Sequence, residues 1–136
     1  MLSDERKANV ARVALISIVD DDESVRESLR GLLRSIGFEV EAFATGEEFL
    51  ASNKLGDTDC LILDMRMPGL SGLDVQRRLV DRRSRVPVIF ITAHGEEESR
   101  LQALESGAVD YLFKPFSEKT LLNALDVALS GIARGA

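Results

Sequence analysis

Residues 13–43 read VALISIVDDDESVRESLRGLLRSIGFEVEAF, and this stretch decides the fold. It opens on an apolar run, Val13–Val19, rich in the β-branched residues that favour strands. Three acids, Asp20, Asp21 and Asp22, end the run. The period then changes. Val25, Leu29, Leu32, Leu33 and Ile36 fall at i, i+4, i+7, i+8 and i+11, one face of a helix, with Gly37 placed to stop it. Asp22 is read as the cap of that helix, where a carboxylate accepts free N–H groups and favours the dipole. Phe38–Phe43 alternates apolar and acidic side chains, the mark of a half-exposed strand.

The same alternation continues along the chain. Further apolar runs lie at Cys60–Leu63, Val86–Ile91 and Val109–Phe113. Thr45-x-x-Glu48 reads as a capping box opening a short second helix, and Ser71-x-x-Asp74 resembles one ahead of a third, which carries Val75 and Leu79. Residues 97–106 form a weaker fourth helix, and Leu121, Leu122, Leu125 and Leu129 give the last a clean stripe. Five strands alternating with five helices predict an α/β fold, a doubly wound five-stranded parallel sheet. Strands one, three and four are nearly all apolar and belong in the centre. The alternating strand at 38–43 and the Asp110-bearing strand at 109–113 belong at the edges. That gives the order 2-1-3-4-5 of a flavodoxin-like (βα)5 sheet, whose ligands bind at the carboxyl ends of the strands.

The composition is consistent with this reading. A chain of 136 residues fits one domain, and 45% hydrophobic residues are ample for a core, which excludes bulk disorder. Residues 1–11 are polar and without period, a flexible leader; the domain is expected over 12–131, with 132–136 as a tail. The longest apolar runs fall far short of the roughly 20 residues of a membrane span, and the amino terminus lacks the apolar core of a signal peptide. The single Cys60 sits inside an apolar run and reads as a reduced core residue, so the expected location is cytoplasmic. Seventeen basic against 23 acidic side chains disfavour a nucleic-acid surface. Arg77, Arg78, Arg82, Arg83 and Arg85 do cluster, but no aromatic residues interleave with them; they read as solvated side chains complementing a helix carboxyl end.

The strand ends carry the chemistry. Strand one ends in Asp20 and Asp21, strand three in Asp64, strand four in Thr92, and strand five in Lys114-Pro115. A parallel sheet brings all of these to one rim. Like carboxylates 4 Å apart repel by about 4 kcal/mol at an effective dielectric of 20, so a hard divalent cation is the natural counter-ion. Mg²⁺ (or Mn²⁺) fits, because it takes oxygen ligands and accepts a phosphate oxygen. With a cation and Lys114 nearby, a strand-end aspartate becomes a nucleophile towards phosphorus. The Thr92 hydroxyl and backbone N–H groups near Arg66 and Ala93 are placed to meet the charge on the transferred group.

The segments IVDDDESVR at 18–26, LDMRMPGLSG at 63–72, FITAHG at 90–95 and DYLFKPF at 110–116 together resemble the receiver domain of bacterial two-component response regulators. The resemblance implies that Asp64 is the phospho-acceptor, with Thr92 and Lys114 assisting. It implies a metal site of Asp20, Asp21, Asp64 and the Arg66 carbonyl, with Asp21 the more direct ligand of the acidic pair. It makes Thr92 and Tyr111 the switch pair, with Tyr111 filling from outside the space Thr92 vacates, although plain edge-strand packing is the alternative for Tyr111. It implies a cis Lys114–Pro115 bond, and it gives Arg66 and His94 influence over the phosphoryl lifetime; a solvated loop residue is the other reading of His94. The implied partners are a sensor histidine kinase and an output domain or effector. The subfamily resembled is the one preceding helix-turn-helix output domains of the LuxR type. A phosphorylation-dependent homodimer is a further expectation, whereas direct nucleic-acid or membrane binding by this chain is not.

Four functions compete at this point. The leading expectation is a signalling module, not an enzyme beyond self-catalysed phosphoryl transfer and autodephosphorylation. Its readout surface would be the fourth helix, fifth strand and fifth helix. A stand-alone phosphorelay receiver is the alternative. A Mg²⁺-dependent phosphatase with an aspartate nucleophile normally needs a second acid two residues on, where this chain has Arg66. A degenerate scaffold is disfavoured by the complete set of Asp20, Asp21, Asp64, Thr92 and Lys114.

Overall fold

The fully apolar strands must bury both faces, and they do so at the centre of a single parallel sheet. A computed structural model describes residues 13–93 and 97–135, with side chains through residue 130. The strands are β1 (Leu15–Val19), β2 (Glu39–Phe43), β3 (Cys60–Asp64), β4 (Val88–Thr92) and β5 (Asp110–Phe113). They pair in the order β2-β1-β3-β4-β5, as the strand compositions predict. Every residue of β1, β3 and β4 is buried, while the edge strands β2 and β5 are mixed.

The helices are α1 (Glu23–Ile36), α2 (Gly46–Ala51), α3 (Gly72–Asp81), α4 (Glu97–Glu105) and α5 (Glu118–Gly135). Successive strand residues point to opposite faces, so two separate cores form. One packs Ile16, Ile18, Ile62 and Ile91 against Leu29 and Leu33 of α1 and Leu121 and Leu125 of α5. The other packs Leu61, Leu63 and Phe90 with Phe49 of α2, Val75 and Leu79 of α3, and Ala103 of α4. Cys60 is fully buried in the first core, and burial pushes its thiol pKa up to about 12, which leaves it inert.

Several local expectations are corrected. Ile36 is 43% exposed: it is the last residue of α1, where the chain is already turning away through Gly37. Gly37 adopts φ 121° and donates its N–H to the carbonyls of Arg34 and Leu33, a helix stop that needs a positive φ. The two capping motifs exchange quality. Ser71 and Asp74 form the complete reciprocal box, whereas Glu48 reaches back to the Ala44 N–H instead of to Thr45. Val13 and Ala14 stay outside β1, and Val86 and Pro87 outside β4; Pro87 has no N–H to give the ladder, though its carbonyl accepts from Leu61. α5 runs through Gly135, so the helix includes residues 132–135. The leader, residues 1–11, lies outside the described residues.

α4 is the least anchored helix. Its only buried side chain is Ala103, and Leu101 is 47% exposed, so little apolar burial holds it. The contrast between the two ends of the α1 stripe is directly testable. Leu33→Ala, in the core with no exposed surface, is expected to cost about 2–5 kcal/mol in urea unfolding. Ile36→Ala should cost under about 1 kcal/mol, because its side chain already meets water.

Candidate functional site

The register of the sheet builds the site. Val19 pairs with Leu63, so the next residues on, Asp20 and Asp64, leave adjacent strands side by side. Asp64 pairs with Ile91 and Thr92 with Phe113, which brings Thr92 and Lys114 to the same rim. Lys114 is fastened there by its own N–H, which donates to the Thr92 carbonyl at 2.7 Å. The Lys114–Pro115 bond is cis, as expected.

The charges interlock closely. Lys114 Nζ donates to Asp20 Oδ2 at 2.9 Å and lies 3.7 Å from Asp64 Oδ1. Asp20 is fully buried, and its other oxygen accepts the Asp22 N–H at 2.9 Å. Asp64 is buried as well, while Asp21 is exposed at the mouth. One carboxylate oxygen from each of Asp20, Asp21 and Asp64 falls within a 4.8 Å cluster. Burial and the neighbouring Asp20 charge raise the Asp64 carboxyl to a pKa of about 7, against the opposing pull of Lys114 and of the Arg66 N–H. Burial works against the Lys114 ammonium too, but its hydrogen bond to Asp20 and the surrounding carboxylates outweigh it and raise the pKa.

Three carboxylates against one ammonium is a donor set suited to a hard divalent cation, since only oxygen ligands are offered and negative charge remains in excess. Both oxygens of Asp20 already accept hydrogen bonds, which leaves Asp21 and Asp64 the freer ligands. Asp22 stands apart from the cluster as the cap of α1, accepting from the Ser24 and Val25 N–H groups and the Ser24 hydroxyl. These bonds, led by that of the Ser24 hydroxyl, hold its carboxyl below the usual range.

The remaining expected residues are distributed as follows. Thr92 is fully buried at the end of β4, and Ala93 is exposed directly after it. The Arg66 side chain is exposed while its N–H donates to the Asp64 carboxylate. His94 lies outside the described residues. Tyr111 is only 6% exposed, packed in the second core between Phe90 and Phe113. Its hydroxyl is buried with no hydrogen-bond partner in good geometry. Burial raises its pKa, although the nearby Thr92 and Ser99 hydroxyls oppose this. Two contributors escaped the sequence reading. Arg26 donates to the Asp20 carbonyl at 2.7 Å, bracing the end of β1; its place in the first turn of α1, six residues on, was the available signal. A groove of about 520 Å³ beside Lys114, lined by Val25, Leu29, Leu32, Pro115 and Phe116, was not foreseen at all. The arginine cluster is exposed, with Arg82 bonded to the Leu50 carbonyl and Arg77 3.5 Å from Asp74.

With this geometry in place, comparison with known proteins is decisive. Residues 16–126 match the response regulator receiver domain. The chain belongs to that family. It is 47% identical over 118 residues to the response regulator protein TodT of Pseudomonas putida, covering 87% of this chain and 52% of TodT. It is 37% identical over 114 residues to the transcriptional regulatory protein FixJ of Azorhizobium caulinodans, covering 84% of this chain and 54% of FixJ. The receiver thus spans about half the length of these curated relatives. Among solved structures it resembles the response regulator StyR, with a TM-score of 0.83 and 45% identity over 90% of this chain and 62% of StyR. As a response regulator receiver, it carries a cluster of acids compatible with a divalent metal. Among the described residues, no helix is long and apolar enough to cross a membrane.

The raised Asp64 pKa has a measurable consequence. Unfolded, this carboxyl titrates near 3.8; folded, near 7. Between those values the folded chain holds a proton that the unfolded chain lacks. The stability Asp64 contributes is therefore complete below about pH 3.8 and lost as pH rises through 7. In a chelator, Asp64→Asn is expected to be more stable than the parent at pH 8 by on the order of 2 kcal/mol, after discounting for water at the rim. The advantage should shrink towards pH 4, read by urea denaturation across that range. Equal midpoints at pH 8 would contradict the burial of a charge at Asp64.

Proposed function

We propose that this receiver accepts a phosphoryl group on Asp64 from a histidine kinase in a Mg²⁺-dependent reaction. The observation that carries the proposal is the approach of Lys114 to Asp20 and Asp64, 2.9 Å and 3.7 Å, beside the third carboxylate of Asp21. In the transfer, an Asp64 carboxylate oxygen forms a bond to phosphorus. The bond from phosphorus to the donor nitrogen (or to oxygen, for acetyl phosphate) breaks, and the donor keeps the electron pair. Asp20, Asp21, Asp64 and the Arg66 carbonyl would hold the cation, which would supply positive charge to the acids and to the transferred group. Lys114 pairs with a second oxygen, and the Thr92 hydroxyl with the Arg66 and Ala93 N–H groups serves the rest. The transfer is self-catalysed and the chain is not a turnover enzyme; loss of the phosphoryl group is slow hydrolysis, tuned by Arg66 and His94.

The message leaves through α4, β5 and α5. Phosphorylation brings Asp64 nearly two negative charges and draws the Thr92 hydroxyl towards them. Tyr111, whose buried hydroxyl has no good partner, repacks with that movement, and weakly anchored α4 shifts. The relatives' additional length supports an output module in the whole protein, controlling transcription through a DNA-binding domain, in keeping with its similarity to the transcriptional regulatory protein FixJ. A phosphorylation-dependent homodimer in the cytoplasm completes the reading.

Incubation with acetyl phosphate and Mg²⁺, followed by intact-mass measurement, is expected to add one phosphoryl group to the parent and none to Asp64→Asn. Labelling undiminished in the Asn variant would overturn the assignment. Lys114→Ala should keep the fold but lower the labelling rate by about a hundredfold, the scale of removing one positioned charge at a developing oxyanion. Arg66→Ala should change the decay half-life more than the labelling rate, read by the same mass assay after removing the donor.

A further inference from the structure

Gly72 occupies an unexpected position. It opens α3 directly after the Ser71 cap, in the first helical turn, where glycine is among the poorest choices. No left-handed conformation explains it: the described glycines with positive φ are Gly37, Gly69 and Gly107. The explanation is contact. A Cβ at Gly72 would stand 2.5 Å from the Asp64 carbonyl oxygen, 2.9 Å from Met65 Cα and 3.0 Å from Phe90 Cε1. Two of these three atoms are backbone, so the conflict cannot be relieved by a side-chain rotation. The Gly72 N–H also donates to the Met65 carbonyl at 2.9 Å, and the Met65 N–H donates to the Ile91 carbonyl at 2.9 Å. The loop that leaves Asp64 through Arg66 is therefore closed where Gly72 lies on the Asp64–Met65 peptide.

We propose that Gly72 is a positioning residue of the metal and phosphorylation site. Its missing side chain lets the first turn of α3 rest on the peptide that carries Asp64. That contact sets how far the Asp64 carboxylate and the Arg66 backbone stand from Asp20 and Asp21. The phosphoryl part of this inference rests on the function proposed above; the metal part rests only on the acidic cluster. Gly46 supplies the control. A Cβ there would run into the Val75 side chain, which also belongs to α3 but lies one turn further along and away from Asp64. Both substitutions therefore crowd the same helix, and only one crowds the site.

The test compares Gly72→Ala and Gly46→Ala with the parent at a temperature where circular dichroism shows each to be folded. Mg²⁺ binding is measured calorimetrically, and acetyl phosphate labelling at saturating Mg²⁺. Gly72→Ala is expected to weaken Mg²⁺ binding and slow labelling, each on the order of tenfold or more, as small misplacements at a reacting centre do. Gly46→Ala should lower the melting temperature yet bind Mg²⁺ like the parent. Native Mg²⁺ affinity in folded Gly72→Ala would overturn the proposal, as would an equal loss in Gly46→Ala. If Gly72→Ala does not fold, the parent decides by amide NMR. The Gly72 and Met65 resonances should move on adding Mg²⁺ while that of Gly46 stays, and unmoved Gly72 and Met65 would overturn the proposal. A parent that binds Mg²⁺ but takes no label would remove the phosphorylation reading and leave the metal half of the Gly72 assignment standing on the titration.

Discussion

The ion pair between Lys114 and Asp20, with Asp64 held close by, is the constraint on which the rest depends. Carboxylates do not gather at a buried rim unaided, because each desolvates the others and repels them. Lys114 makes the gathering tolerable without completing it: one ammonium faces three acids, and Asp64 is left with a pKa near 7. The chain distributes this tension over distant segments. β1 delivers Asp20, β3 delivers Asp64, and β5 hands over Lys114, so only a sheet in the observed order assembles the group. Arg26 and the Asp22 N–H brace Asp20 from the side of α1. The fold is thus arranged around a local excess of negative charge that a cation and a phosphoryl group can resolve.

Much of this was legible in the sequence, because the signals were strong and local. Fully apolar strands must be central and mixed strands must be edges, which orders the sheet from the sequence itself. Strand-end acids in a parallel sheet must share a rim, which brought Asp20, Asp64 and Lys114 together across more than 90 residues of chain. The failures have physical reasons as well. Ile36 fits the helical stripe by spacing, yet a stripe says nothing of where the helix leaves the core. Thr45 and Ser71 carry near-identical motifs, and which box closes depends on side-chain reach that spacing does not encode. Tyr111 lies on an edge strand, which offers both faces, and its burial in the second core is a matter of packing that spacing does not encode. Nothing in the sequence singles out Gly72 beside Ser71; only the approach of Asp64's peptide distinguishes it.

The two cores differ in what they support. The layer of α1 and α5 is built on long apolar stripes such as Leu29 with Leu33 and Leu121 with Leu125. The layer of α2, α3 and α4 holds Phe90, Tyr111 and a single buried residue of α4. Within that second layer, α3 touches the Asp64 peptide through Gly72 and grips the Ser106 carbonyl, just past α4, through Gln76 one turn later. A displacement at Asp64 therefore meets α3 first and the weakly anchored α4 next.

This unequal anchoring gives the sheet the character of a workbench with one clamped side. The α1–α5 layer is the fixture: the leucine stripes of both helices are buried against the strand that delivers Asp20. The opposite layer holds its outermost helix by one buried side chain, the arrangement the proposed switch needs. With both layers packed like the first, that switch would have nothing left to move.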